Sequence, residues 1–248
     1  MQVDLDTLNH TLNIKQKTVF YNHSNQNLDS IYLHNWSNSF KDRTTPLNQR
    51  LLEDFKKNFH FSKATDRGFS KISTLKINDT EVPFTILNNQ ADIVKIKLPN
   101  SLHQKDSIEI NTVYKVKIPL AKFTKYGRSK NGYHLRFWHL IPAIHQNGKW
   151  HTMSNLNLDD LFQDKTDYEI TFNIPNNYTL SSNINSLTNN KLKLKEKSQK
   201  DVIVNISKSS KFKIFNNTEI PIITDVYKSK IKHSVTCLLY TSPSPRDS

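Results

Sequence analysis

His134, His139, His145 and His151 fall within the single segment Tyr133 to Met153, YHLRFWHLIPAIHQNGKWHTM, together with the rings of Tyr133, Phe137, Trp138 and Trp150. Neutral imidazoles at close sequence spacing could ligate a transition metal or relay protons. A metal, however, needs three or four donors that converge. On strands those donors must share a face or meet across a ladder, and no carboxylate lies between these histidines to complete a set. Packing and hydrogen-bonding roles are therefore expected, with no metal site. The acidic pair Asp159-Asp160 suits the first turn of a short helix over Asp159–Phe162 better than acid–base work. Asp66-Arg67-Gly68 suits a turn with a local ion pair, worth little if exposed. The chain has no H-E-x-x-H, no glycine-rich phosphate loop and no G-x-S-x-G elbow, so no catalytic residue is assigned to it.

The elements that carry this segment are strands. Asn147-Gly148 is a strong hairpin signal, because a two-residue type I′ turn needs positive φ at both positions. Counting outward pairs Gln146 with Lys149, His145 with Trp150 and Ile144 with His151, which sets an imidazole against an indole. Upstream, alternation puts His134, Arg136 and Trp138 on one face and Tyr133, Leu135, Phe137 and His139 on the other.

Period-2 patterns run through the rest of the chain: Leu8 to Ile14, Val94 to Leu98, Ile108 to Ile118, Tyr168 to Ile174 and Val202 to Ile206. Turn residues separate them at Asn78-Asp79, Pro99-Asn100 and Pro175-Asn176-Asn177. This interval favours an all-β sandwich or curled sheet over alternating strands and helices. One short helix is expected near residues 46–57. Thr45 stands at its cap and Pro46 at its first position, and Leu47, Leu51 and Phe55 with Leu52 make its apolar stripe.

Composition narrows the partners. The chain has 248 residues, 35 Lys plus Arg against 22 Asp plus Glu, and a net charge of +13. Abundant Lys, Asn and Ile with only 4 glycines fit an A/T-rich coding sequence. The charge is then no sign of a nucleic-acid partner, and none is expected. Lys191 to Lys200 reads as a strand whose solvent face carries lysines. No stretch is long and apolar enough for a membrane span, and no signal peptide stands at the start. Cys237 to Asp247, CLLYTSPSPRD, matches one translated frame of a sequencing adapter. Residues 237–248 are accordingly expected to be an artefactual tail, which removes the chain's one cysteine from consideration.

Five segments together resemble the N-terminal domain of bacterial aminopeptidase N-like zinc metallopeptidases, the gluzincin group. Leu28 to Arg43 (LDSIYLHNWSNSFKDR) looks like that family's strand and loop with an "LHxWxNxYKD" pattern. Asp66 to Val82 (DRGFSKISTLKINDTEV) is similar to its "DRGY" passage. Asn100 to Pro119 resembles its following strand, and Tyr133 to Met153 looks like its "QWYPKPAVYDxxGWHPM" passage. Asp159 to Phe162 is similar to the "GEFY" that comes next.

The resemblance implies a saddle-like β-sandwich over 1–215, with 216–236 starting the connection to a catalytic domain outside this chain. That domain would hold zinc on H-E-x-x-H and a downstream Glu and hydrolyse N-terminal peptide bonds. In this chain no cofactor is expected. Its partners would be that catalytic domain and, through it, a peptide substrate. The resemblance also allows an exported or periplasmic bacterial location. The family's β-domain lends the cleft one Gln for the substrate amino terminus, and here the matching tripeptide is Arg136-Phe137-Trp138. Phe137 stands where the Gln would be and cannot accept a hydrogen bond from an ammonium, so the carry-over stops at that position. Arg136, Phe137 and Trp138 are the expected cleft-lining residues. The rival reading is a stand-alone β-sandwich that binds sugar or peptide on a platform of Trp36, Trp138 or Trp150.

Overall fold

The computed structural model describes residues 1–158, 162–184, 186–187 and 190–208, with two further strands at 213–215 and 222–224. Its larger layer is an eight-stranded sheet. From edge to edge this runs β16 (Ser186–Leu187), β17 (Asn190–Gln199), β14 (Thr166–Asn173), β1 (Gln2–Asp6), β2 (Thr11–Tyr21), β8 (Ser107–Lys117), β4 (Phe69–Ile77) and β5 (Thr80–Glu81). Only β1 and β14 run parallel; the other neighbours are antiparallel.

Two four-stranded sheets share the core with it. One has the order β11 (Ile141–Pro142), β3 (Leu28–His34), β7 (Gln90–Leu102), β6 (Phe84–Leu87). The other has β15 (Tyr178–Ser182), β18 (Val204–Lys208), β10 (Gly132–Leu135), β9 (Gly127–Arg128). Alternation supplies the packing. Leu12 and Ile14 from β2, Ile31 and Val94 from the second sheet, and Leu135 and Ile206 from the third all fall in one buried cluster. The fold is thus an all-β sandwich of mostly antiparallel strands, as the patterning predicts. The pair β12 (Ile144–Gln146) and β13 (Lys149–His151) forms a separate hairpin, and β19 (Lys213–Phe215) pairs with β20 (Ile222–Thr224).

The hairpin has the register counted from Asn147-Gly148: Gln146 opposite Lys149, His145 opposite Trp150, Ile144 opposite His151. Both turn residues have positive φ, 53° and 74°, as a type I′ turn requires. Other expectations fail for identifiable reasons. Leu8 and His10 sit in a turn, not a strand; His10 has φ 54° and Leu8 is almost fully exposed. The Asp6 carboxylate closes that turn by accepting the Leu8 and Asn9 amides, an Asx turn that alternation does not reveal. Pro99-Asn100 lies inside β7, where the register against β3 shifts between Leu28 and Ser30.

The helix, α1 (Pro46–Glu53), is shorter than predicted. Leu47 and Leu51 are buried with Phe40, Phe59 and Phe123 in a satellite core. Phe55 turns away with φ 59° and is 87% exposed, so the stripe ends a turn early. Thr45 occupies the cap position, but its hydroxyl donates to Asp42 O at 3.1 Å instead of capping the helix. Asp66 pairs with Lys122 at 3.2 Å, while Arg67 donates to Ser62 O. The expected Asp66–Arg67 pair is therefore absent. Gly68 packs so tightly that a Cβ there would meet Lys117 O at 2.5 Å, which explains a glycine beside that turn. Asp159 to Leu161 and residues 225–248, with the adapter-like tail, lie outside the described residues.

Candidate functional site

Arg136, Phe137 and Trp138 leave the end of β10 and lead into β11. The segment is pinned from behind by the eight-stranded sheet. Tyr114 Oη donates to Gln16 Oε1 at 2.5 Å and accepts from Leu140 N–H at 3.1 Å, and Gln16 Nε2 donates to Leu140 O at 2.7 Å. A buried network in which donors and acceptors are matched fixes backbone position well.

Phe137 breaks the predicted alternation. Its φ of 56° is in the left-handed region, where a bulky side chain is strained by roughly 1–2 kcal/mol. The surroundings hold it there. Ser37 Oγ donates to Phe137 O at 2.9 Å, and the ring meets Trp36 edge-on with centroids 5.1 Å apart. With Ile141 these two rings form a small buried cluster. Trp138 is also buried; its Nε1 donates to Val202 O at 3.0 Å and its ring tilts against Phe172 at 5.4 Å.

Arg136 reaches furthest outward. Its Nε donates to Asp201 Oδ2 at 2.5 Å and Nη1 to Tyr126 Oη at 3.1 Å. The guanidinium carbon lies 4.5 Å from the Phe137 ring centre and 5.4 Å from that of Tyr126. Burial works against its charge, but Asp201 and Tyr126 more than offset that and raise its pKa above the ordinary arginine value. Tyr126 stacks in turn on His134 at 5.0 Å, and His134 Nδ1 contacts Asn205 Oδ1. Beside these groups is a cavity of about 30 Å³, lined by Ser37, Tyr126, His134, Arg136, Phe137 and Trp138 among others. That admits a water or two and no larger ligand. The guanidinium is held by Asp201 and braced over two rings. It cannot exchange protons near neutral pH, so the arrangement suits recognition rather than catalysis.

Behind Phe137 lies a polar knot. The 3₁₀ turn Trp36–Phe40 is wholly buried. Asp92, with no exposed surface, accepts from Ser154 Oγ at 2.8 Å and Asn155 N–H at 2.7 Å. Desolvation pushes the Asp92 carboxyl up to about 6 in spite of these bonds. Trp36 Nε1 donates to Met153 O at 2.6 Å, and His34, stacked on Trp36 at 4.5 Å, accepts from Met153 N–H at 3.2 Å. Asn38 Oδ1 accepts from Ser70 N–H at 3.1 Å, and Asn155 Nδ2 donates to Ser39 Oγ at 3.2 Å. One turn thus ties together residues 34–40, 70, 92, 137 and 153–155. Neither Asp92 nor Asp201 nor Tyr126 was marked by spacing. The one signal at Asp92 is a carboxylate opening the apolar run Ile93-Val94.

The histidines disperse. His34 lies under Trp36, His134 under Tyr126, His139 in the core against Tyr168, and His145 and His151 on the hairpin at non-opposed positions. Among the described residues no three His, Cys, Asp or Glu side chains gather as a metal ion needs. They do not fit a zinc site. The tryptophan platform also fails, because Trp36 and Trp138 are buried and Trp150 is half-covered by Phe20, Tyr32 and His145.

No family model matches the sequence, and no curated protein matches it. Solved structures do resemble it. The chain is similar to an M1 zinc metallopeptidase of Deinococcus radiodurans bound to a Tyr-Ser-Ala substrate, at 9% identity and TM-score 0.48, covering 90% of this chain and 44% of that one. It is also similar to a two-domain M1 zinc metallopeptidase bound to L-arginine, at 11% identity and TM-score 0.45, covering 86% and 42%. A third M1 zinc metallopeptidase structure from Deinococcus radiodurans gives 9% identity and TM-score 0.47, covering 86% and 42%. The chain spans less than half the length of these proteins.

Proposed function

We propose that this chain is the non-catalytic β-domain of a zinc metallopeptidase of aminopeptidase type. It packs beside a catalytic domain and contributes the Arg136–Trp138 segment to one wall of the substrate cleft. The observation that supports this reading is the convergence of the sequence segments that resemble the family. The stretches 28–43, 66–82 and 133–153 are far apart in the chain, yet they meet around one buried turn. Ser70 N–H bonds Asn38, Ser37 bonds Phe137 O, and Trp36 bonds Met153 O. Residues that specify one junction account for motifs whose order and spacing would otherwise be arbitrary.

In this reading the wall presents Arg136, while Phe137 and Trp138 hold it in place from within. Phe137 in place of the family's Gln, beside an Arg136 already paired with Asp201, separates this chain from the family's pattern for the substrate amino terminus. Zinc, and the Glu that would activate its bound water, belong to the catalytic domain. Sequencing the genomic DNA past codon 236 tests the proposal. It predicts H-E-x-x-H and a further Glu in the continuation; a continuation that lacks them overturns the enzymatic part.

A further inference from the structure

The outward face of the eight-stranded sheet combines cations with exposed apolar side chains. On β2, β8 and β4 alternate residues point away from the core, and the register sets Lys71 opposite Lys115, Lys117 opposite Phe69 and Lys15 opposite Val113. Like charges directly opposed on neighbouring strands destabilise a sheet, by a few tenths of a kcal/mol or more. Neighbouring strands lie about 4.8 Å apart and alternate residues about 7 Å apart, so the lysines form a dense lattice of charge.

Carboxylates share this face with the lysines, and Lys115 acts on Asp6 through space. Glu109 is 2.5 Å from Lys17, and Glu81 stands opposite Lys76. Asp4 accepts from Asn173 Nδ2, and the Asp6 oxygens take the amides of their own turn. Lys15, Lys71, Lys115 and Lys117 form no ion pair with a carboxylate among the described residues. Within this lattice Val113 is 41% and Phe69 38% exposed, and Val19 and Tyr21 continue the apolar exposure along β2.

We propose that this face docks on an anionic lipid bilayer. The lysines meet headgroup charge, and Phe69 and Val113 enter the interfacial layer. Nucleic acid could satisfy the lysines but gives an aliphatic Val113 no partner, whereas a bilayer satisfies both. The inference is independent of the peptidase reading.

Co-sedimentation of the full chain with phosphatidylcholine vesicles, with and without about 30% phosphatidylserine, tests it. Binding is expected only with the anionic lipid, and it should vanish at about 1 M salt, where charges are screened within roughly 3 Å. K71Q/K115Q should lower the partition coefficient roughly twenty- to thirty-fold. Val113→Ser should lower it about threefold at constant charge. Far-UV circular dichroism confirms that the variants remain folded. Equal binding to neutral vesicles, or no binding to either, overturns the proposal. So does an equal loss in K57Q/K63Q, which removes two lysines elsewhere. Tight binding to duplex DNA that is indifferent to V113S, with vesicles unbound, would assign the face to nucleic acid instead.

Discussion

Acid should unfold this protein through its buried histidines, and replacing His139 should remove much of the effect. His139 is fully packed against Tyr168 and Trp138, and burial lowers its pKa from 6.5 to about 3. His34, under Trp36, is lowered from 6.5 to about 4 by desolvation. Both stay neutral in the folded state while the unfolded chain takes up protons below 6.5. Their stabilising contribution is therefore present above that pH and is lost as pH falls. Between pH 7 and 5 each histidine loses about 2 kcal/mol. Asp92 acts in the opposite direction. Its folded pKa of about 6 is above the ordinary 3.8, so its contribution is present in acid and lost as pH rises through 6. Over the same interval it returns about 1 kcal/mol, leaving a net loss of about 2 kcal/mol. Urea titrations at pH 7 and pH 5 would register this as a midpoint about 1 M lower in acid. His139→Gln should shrink the difference to about 0.5 kcal/mol, and Asp92→Asn should enlarge it to about 4 kcal/mol, whatever either does to stability at pH 7. Equal pH differences in wild type and both variants would refute the assignment of acid sensitivity to these buried groups.

Other perturbations probe the scaffold. Gly68→Ala forces a Cβ into Lys117 O and Pro119, and should cost about 2 kcal/mol, seen as a fall of roughly 5 °C in the thermal midpoint. Leu51→Ala opens a cavity in the satellite core with Phe40, Phe59 and Phe123. A cost of about 3 kcal/mol is expected, with faster limited proteolysis between Glu53 and Thr65 while the main core stays protected. Arg136→Ala leaves the Asp201 carboxylate without its guanidinium partner and should lower stability by about 3 kcal/mol, and Asp201→Asn/Arg136→Gln should recover part of that in a double-mutant cycle.

What the sequence reveals depends on whether the deciding interaction is local. The Asn147-Gly148 hairpin and its register were legible because two residues set the turn. Of the large sheet, β8 and β14 are legible because alternate residues along them are buried, whereas β1 and β4 are not. The left-handed Phe137 was not: aromatic residues carry no preference for positive φ, and the conformation is held by Ser37 and Trp36, about a hundred positions earlier. The end of α1 was misplaced because Phe55 continues the apolar spacing while its backbone leaves the helix. Asp92 and Asp201 were missed because long-range partners give a carboxylate its role and leave no mark in its neighbours. Arg136, Phe137 and Trp138 were named from sequence. That Phe137 and Trp138 are buried while Arg136 pairs with Asp201 comes only from the fold.

The central claim concerns a domain that shapes the cleft of a zinc peptidase, and a protein that joins this chain to the catalytic domain proposed for it tests it most directly. Purified with its continuation, it should carry about one zinc per chain and release residues from peptide N-termini. Arg136→Ala should change KM for charged peptides by about tenfold or more while kcat moves little, the signature of a lost ground-state contact. A metal-free protein without peptidase activity would contradict the account, as would an active enzyme whose KM ignores Arg136.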